Sequence, residues 1–135
     1  QVMPFFAQEL FEKAERRGDL SSETYLESLK ECRRLSRQQG IDAFMQKHGL
    51  DAFIAPTSGP AWLTDSVNGD PVSIETSFTP SAVAGYPGIS VPLGFISGLP
   101  VGLSFYGGAW SERMLLRCAH AFENATKAQI APEIS

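Results

Sequence analysis

From His48 to Glu112 the chain runs without a lysine or arginine, and the same stretch concentrates its turn-formers. Seven of the nine prolines and nine of the twelve glycines fall between Asp51 and Trp110. Between them stand three short apolar runs, Ala52–Ala55, Gly88–Leu93 and Val101–Tyr106. Long charged side chains resist burial most strongly, and glycine and proline interrupt this segment too often for long helices. Short apolar runs bounded by such residues read as strands buried on both faces. The segment therefore supplies interior, and shows no obvious reactive group of its own.

The flanks read differently. Ala7, Leu10, Phe11 and Ala14 recur at helical spacing across Phe5–Arg17, with Gly18 placed to end the helix. A second helix is expected from Ser21-Ser22, where a hydroxyl can cap free amides and Glu23 suits the first turn. Tyr25, Leu26, Leu29 and Cys32 form its apolar stripe, while Lys30, Arg33, Arg34 and Arg37 belong to its solvated side. Ile41, Phe44, Met45 and His48 resume the period after Gly40. One glycine inside a helix costs only about 1 kcal/mol, so a single helix to about His48 is expected, stopped by Gly49.

Asp51–Ala55 then reads as a strand. Ser58–Ser77 carries Gly59-Pro60, Asn68-Gly69 and Asp70-Pro71 with no sustained period. A structureless stretch of that length often shapes a binding site. Thr79 as N-cap, Pro80 inside and Gly85 as a left-handed stop predict a short helix. Ile89–Leu93 and Val101–Tyr106, joined around Ser97–Pro100, predict an antiparallel hairpin. Ser111 is placed to cap a last helix that turns Leu115, Cys118, Phe122 and Ala125 to the core. The order predicts an α/β fold, a mixed β-sheet flanked by α-helices.

At 135 residues the chain is one domain or part of one. Its net charge is −4, and eight of its eleven basic residues lie in the first fifty positions among eight acids. No basic face gathers phosphate, so nucleic acid is not an expected partner. The apolar runs are too short to cross a bilayer, so no membrane is expected either. Cys32 and Cys118 lack metal-ligand spacing and read as buried small hydrophobes in a reducing, cytoplasmic setting. Gln1 opens into Pro4-Phe5-Phe6 without a signal-peptide pattern, which reads as a fragment cut from something longer.

A search for chemistry returns little. His48 and His120, the two histidines, both sit on predicted helices, and no Gly-x-Ser-x-Gly elbow occurs. Cys118 and His120 are two apart on a helix, where side chains diverge, so no metal and no cofactor are expected. Gly107-Gly108 before the last helix lacks the glycine order and lysine of a phosphate cradle and reads as a tight turn. Asp51 and Asp70 sit at a strand start and before a proline, as turn or capping groups do. Glu75 has the weakest structural role of the acids and is a functional candidate. Trp62, in the long loop, lines a pocket or plugs the core.

Three ordered motifs carry a resemblance. Leu50-Asp51-Ala52-Phe53-Ile54-Ala55-Pro56-Thr57, Ala84-Gly85-Tyr86-Pro87-Gly88-Ile89-Ser90-Val91-Pro92 and Gly98-Leu99-Pro100-Val101-Gly102-Leu103 closely resemble the C-terminal part of amidase signature enzymes. Met3–Phe6 and Ser111-Glu112 with Leu115-Leu116 resemble the family's flanking segments, so nearly the whole chain is covered in the expected order.

The resemblance implies a partial layer of the amidase signature fold and hydrolysis or transfer at a carboxamide C–N bond. It implies a serine nucleophile, a second serine in a cis peptide and a lysine base, all upstream of Gln1, so no catalytic residue carries over. What carries over is pocket wall against a small-molecule amide substrate: Pro56, Thr57, Ser58, Gly59, Trp62 and Ile74–Ser81, Glu75 among them. The fragment alone is expected to be inert, with open sheet edges that invite self-association. The alternative is a non-catalytic interaction or assembly module built on the same fold.

Overall fold

A computed structural model of the chain describes residues 8–70 and 76–131. Two compact units divide it, Gln1–Cys32 and Arg33–Ser135. The first holds α1 (Glu9–Glu15) and most of α2 (Glu23–Arg33). Their apolar stripes lie open: Leu10 is 73% and Phe11 74% exposed. The Ser21 hydroxyl donates to Asp19 Oδ1 at 2.6 Å instead of capping the helix. That bond and the Ser21 amide hold the Asp19 carboxyl below its ordinary range.

The second unit opens with a π-helical stretch, Arg34–Ile41, followed by α3 (Asp42–His48). The single helix expected through Gly40 is broken there. Gly40 adopts φ −105° and ψ −108°, outside helical geometry, and a Cβ on it would stand 2.7 Å from the Leu35 carbonyl oxygen. Only glycine tolerates that approach, so this residue makes the break. Gly49 ends α3 in the left-handed conformation, as its position predicts.

Three strands follow: β1 (Phe53–Pro56), β2 (Gly88–Ile96) and β3 (Leu99–Tyr106). They form one sheet in the order β1-β3-β2, with both pairings antiparallel. The α/β layering expected from sequence is present, and among the described residues the sheet is antiparallel throughout. Both hairpin strands run longer than expected, because Ser97 and Gly98 alone make the turn, each at positive φ. Between β1 and β2, α4 (Thr79–Ala84) begins one residue earlier than predicted, with Phe78 at the N-cap and Gly85 as the left-handed stop.

The core lies between one sheet face and α5 (Glu112–Thr126). Val91, Leu103 and Phe105 meet Leu115 and Ala119, with Ile89, Met114, Cys118 and Phe122 packed around them. Ala125, expected in the core, is exposed, and Ala119 takes the inner position. Ser111 precedes α5, but its hydroxyl donates backwards to the Gly108 carbonyl at 2.8 Å rather than capping. Cys32 is exposed, not buried; Cys118 is partly buried beside Met114.

Burial on both sheet faces is not reached within this chain. Ile54, on the α5 face but on edge strand β1 beyond the helix, is 64% exposed, and Phe95 on the other face is 45% exposed.

Candidate functional site

Alternation along β3 sends Leu103 and Phe105 to α5 and Gly102, Ser104 and Tyr106 to the other face. Register brings Ser90 of β2 opposite Ser104. Thr57, one residue past β1, continues the pairing, its amide donating to the Gly102 carbonyl at 2.8 Å. Three hydroxyls therefore converge. Thr57 Oγ1 lies 2.8 Å from Ser104 Oγ and 2.9 Å from Ser90 Oγ, and the two serine oxygens are 3.0 Å apart. In such a ring each hydroxyl can donate once and accept once, which satisfies the fully buried Ser104 without a charged partner.

The threonine fits because position 102 is glycine. A Cβ there would stand 2.7 Å from Thr57 Oγ1. The Ser77 amide donates to the Thr57 carbonyl at 3.3 Å, so the start of the long loop and the segment entering α4 are tied at one residue.

Beside the ring lies a pocket of about 360 Å³, walled by Thr57, Ser58 and Gly59 on one side and by Ser90, Phe95 and Gly102 on the sheet. Three of the sequence-predicted wall residues, Thr57, Ser58 and Gly59, thus line one cavity. Trp62 does not line it; it stands on the loop, 44% exposed. Glu75 lies outside the described residues. Ser90, Ser104 and Gly102 escaped sequence reading. Their signal was two serines in otherwise apolar strands, legible only once the register is known.

The remaining polar groups are structural. Asp65 accepts from the amides of Val67 and Asn68, both at 2.9 Å, and from the Asn68 side chain; these bonds hold its carboxyl below the ordinary range. Asp70 accepts from the Asp65 amide at 3.3 Å. Arg37, expected on a solvated helix side, is instead half-buried. Its Nε donates to the Ala84 carbonyl at 2.6 Å and its guanidinium lies 5.2 Å over the Tyr86 ring. Tyr86 donates to Asp42 Oδ2 at 2.9 Å; burial first, then this bond, raises its phenol above 10. This network fixes the Ala84-Gly85-Tyr86-Pro87 turn against the Arg34–His48 helices.

His120 Nε2 bonds the Asn124 side chain at 2.9 Å, and the His48 ring rests 4.4 Å from that of Phe44. Among the described residues no three His, Cys, Asp or Glu side chains gather as metal ligands, and no helix is long and apolar enough to cross a membrane.

The profile of the Amidase family matches residues 4–116. The chain belongs to the Amidase family. The crystal structure of a peptide amidase in complex with the competitive inhibitor chymostatin superposes with a TM-score of 0.91 at 43% identity, over 98% of this chain and 27% of that one. Native peptide amidase from Stenotrophomonas maltophilia gives 0.85 at 42% identity, over 97% of this chain and 26% of that one. A glutamyl-tRNA(Gln) amidotransferase subunit of Marinobacter nauticus is 44% identical over 105 residues, 76% of this chain and 21% of that protein. The chain thus spans about a fifth of the curated relative and about a quarter of the peptide amidases.

Proposed function

We propose that this member of the Amidase family is the C-terminal portion of an enzyme hydrolysing carboxamide C–N bonds, and that it supplies pocket wall while the Ser–cis-Ser–Lys triad lies upstream. The observation that carries the reading is the near-complete superposition on a quarter of a peptide amidase. Sequence identity is as high to an amidotransferase subunit, and the superposition alone favours hydrolysis over amide transfer. The corresponding glutamyl-tRNA(Gln) amidotransferase subunit of Thermotoga maritima superposes at a TM-score of only 0.58 and 27% identity.

In this reading Thr57, Ser58 and Gly59 face a small-molecule amide, with Trp62 and Glu75 contributed by the same loop. Ser90 and Ser104 position Thr57 through the hydroxyl ring. The glycine-permitted contact at Gly102 sets the wall before substrate arrives, and such preorganisation reduces the ordering cost of binding. No residue here acts as nucleophile or base.

The test is ammonia release from a C-terminally amidated peptide by the purified 135-residue chain. None is expected above buffer. Release that Thr57→Val or Ser58→Ala abolishes would place catalysis inside the chain and contradict the proposal.

A further inference from the structure

The pocket beside the hydroxyl ring has a wall that the strands do not supply. α5 ends at Thr126, and Lys127 takes the left-handed conformation at φ 49° and ψ 39°, its amide donating to the Glu123 carbonyl at 2.8 Å. A left-handed residue turns the chain out of the helix direction. The residues after it, Ala128, Gln129 and Ile130, line the same pocket as Thr57, Ser58 and Gly59. The Amidase profile ends at Leu116, so this strap lies beyond the residues that the family match covers. The pocket is also neutral. None of its lining residues is ionisable, and its polar side chains are Thr57, Ser58, Ser90 and Gln129. The larger groove of the same unit, about 860 Å³ between Phe44, Phe53, Val83 and Tyr106, differs in carrying Lys47 on its wall. In the smaller pocket the hydroxyls are already engaged, Thr57 and Ser90 in the ring and Ser58 with the Gly59 carbonyl at 3.1 Å. The Gln129 carboxamide has no hydrogen-bond partner among the described residues, so it offers the pocket both a donor and an acceptor.

We propose that residues 128–130 form a specificity-determining strap, which completes this pocket around an uncharged side chain of an amide, with Ile130 as the apolar contact and Gln129 as the hydrogen-bonding one. The inference rests on reading the pocket as part of an amidase substrate wall. The ligand class follows from charge. An ammonium or carboxylate entering the pocket gives up hydration and meets no counter-ion, whereas an apolar side chain meets Phe95, Val101 and Ile130. Its size follows from the volume. About 360 Å³ lies near the lower end of the roughly 300–1,000 Å³ of small-ligand sites, room for one amino-acid-sized group. Ile130 is 68% exposed, so water reaches the mouth of the pocket and the penalty on charge is moderate. Lys127, the adjoining cation, lines a neighbouring hollow with His120 and Glu123.

Backbone amide shifts of the isotope-labelled 135-residue chain test this with three probes of one frame: N-acetyl-leucinamide, N-acetyl-lysinamide and the 1-amide of N-acetylglutamic acid. The leucine probe should give saturable shifts at Ser58, Gly59, Gln129 and Ile130, at about millimolar Kd for a ligand of this size. Both charged probes should bind about tenfold more weakly. Ile130→Asp introduces the missing counter-ion, and should bring the lysine probe within about twofold of the leucine probe while the glutamate probe stays weak. Gln129→Ala should weaken the leucine probe about fivefold. Both positions are exposed, so the melting temperature should not move with either substitution. Equal binding of the three probes would overturn the proposal, as would shifts confined to other residues or no saturable shift at all. A preference for the glutamate probe would assign the effect to Lys127 and overturn it too, and so would an unchanged probe order in Ile130→Asp. Ammonia release reads the functional proposal separately. Release by the isolated chain that Thr57→Val abolishes removes that reading and leaves the probe order standing; an inert chain that binds all three probes alike does the reverse.

Discussion

The two faces of the small sheet differ in how far this chain completes them. On one, α5 closes over Val91, Leu103 and Phe105, and Leu115 and Ala119 are 2% and 1% exposed. The other carries a hydroxyl ring, a pocket walled by the Thr57–Gly59 strand end, and an aromatic groove with half-exposed walls. The same antiparallel strands serve both, so backbone pairing does not set the difference. It comes from what each alternate residue meets. An amphipathic helix in the same chain covers β2 and β3 on one face, leaving only Ile54 of edge strand β1 open there, while α3, α4 and the long loop frame the other without filling it. The helix-covered face gives stability; the open one leaves room for a ligand.

The largest effect should separate the faces outright. Leu115→Ala removes a fully buried side chain and should cost about 2–5 kcal/mol in urea unfolding, whereas Phe44→Ala should cost less than about 1 kcal/mol. Similar costs would erase the distinction. A smaller effect sharpens the polar side. Ser104→Ala removes the buried member of the ring and should cost about 1–2 kcal/mol, while Ser90→Ala, on the exposed member, should cost about half as much. Thermal melts of the two variants decide whether the ring is held from its buried corner.

The smallest effect is a pH dependence. Burial raises the Tyr106 phenol above 10, so the folded groove favours the neutral ring. Its contribution is complete below the ordinary tyrosine value and fades as pH rises through the raised one. Tyr106→Phe should therefore soften the alkaline loss of stability, read as urea midpoints from about pH 9 to about pH 11.

Sequence reading carried the strands, the hairpin, α5 and the family motifs, because each rests on local chemistry: period, turn residues and caps. It failed where a backbone contact decided the outcome. Gly40 looks like a tolerable helix glycine until the Leu35 carbonyl is seen against it. Ser21 and Ser111 look like caps, but their hydroxyls find Asp19 and Gly108 instead. The candidate wall was partly legible. Thr57, Ser58 and Gly59 follow a strand and come to one pocket because they are contiguous. Ser90 and Ser104 join them through strand register, which no single segment encodes. Arg37 reads as a surface cation on a helix, and only the fold places the Ala84 carbonyl within its reach.

Hydrogen–deuterium exchange on the isolated chain tests the contrast between the faces most directly. Amides around Leu115–Ala119 in α5 and Leu103–Phe105 in β3 should exchange only through global unfolding. Those of α3 and α4, around the open groove, should exchange at least about tenfold faster through local opening. Equal protection of α4 and α5 would show both faces complete within these residues, and would contradict the account.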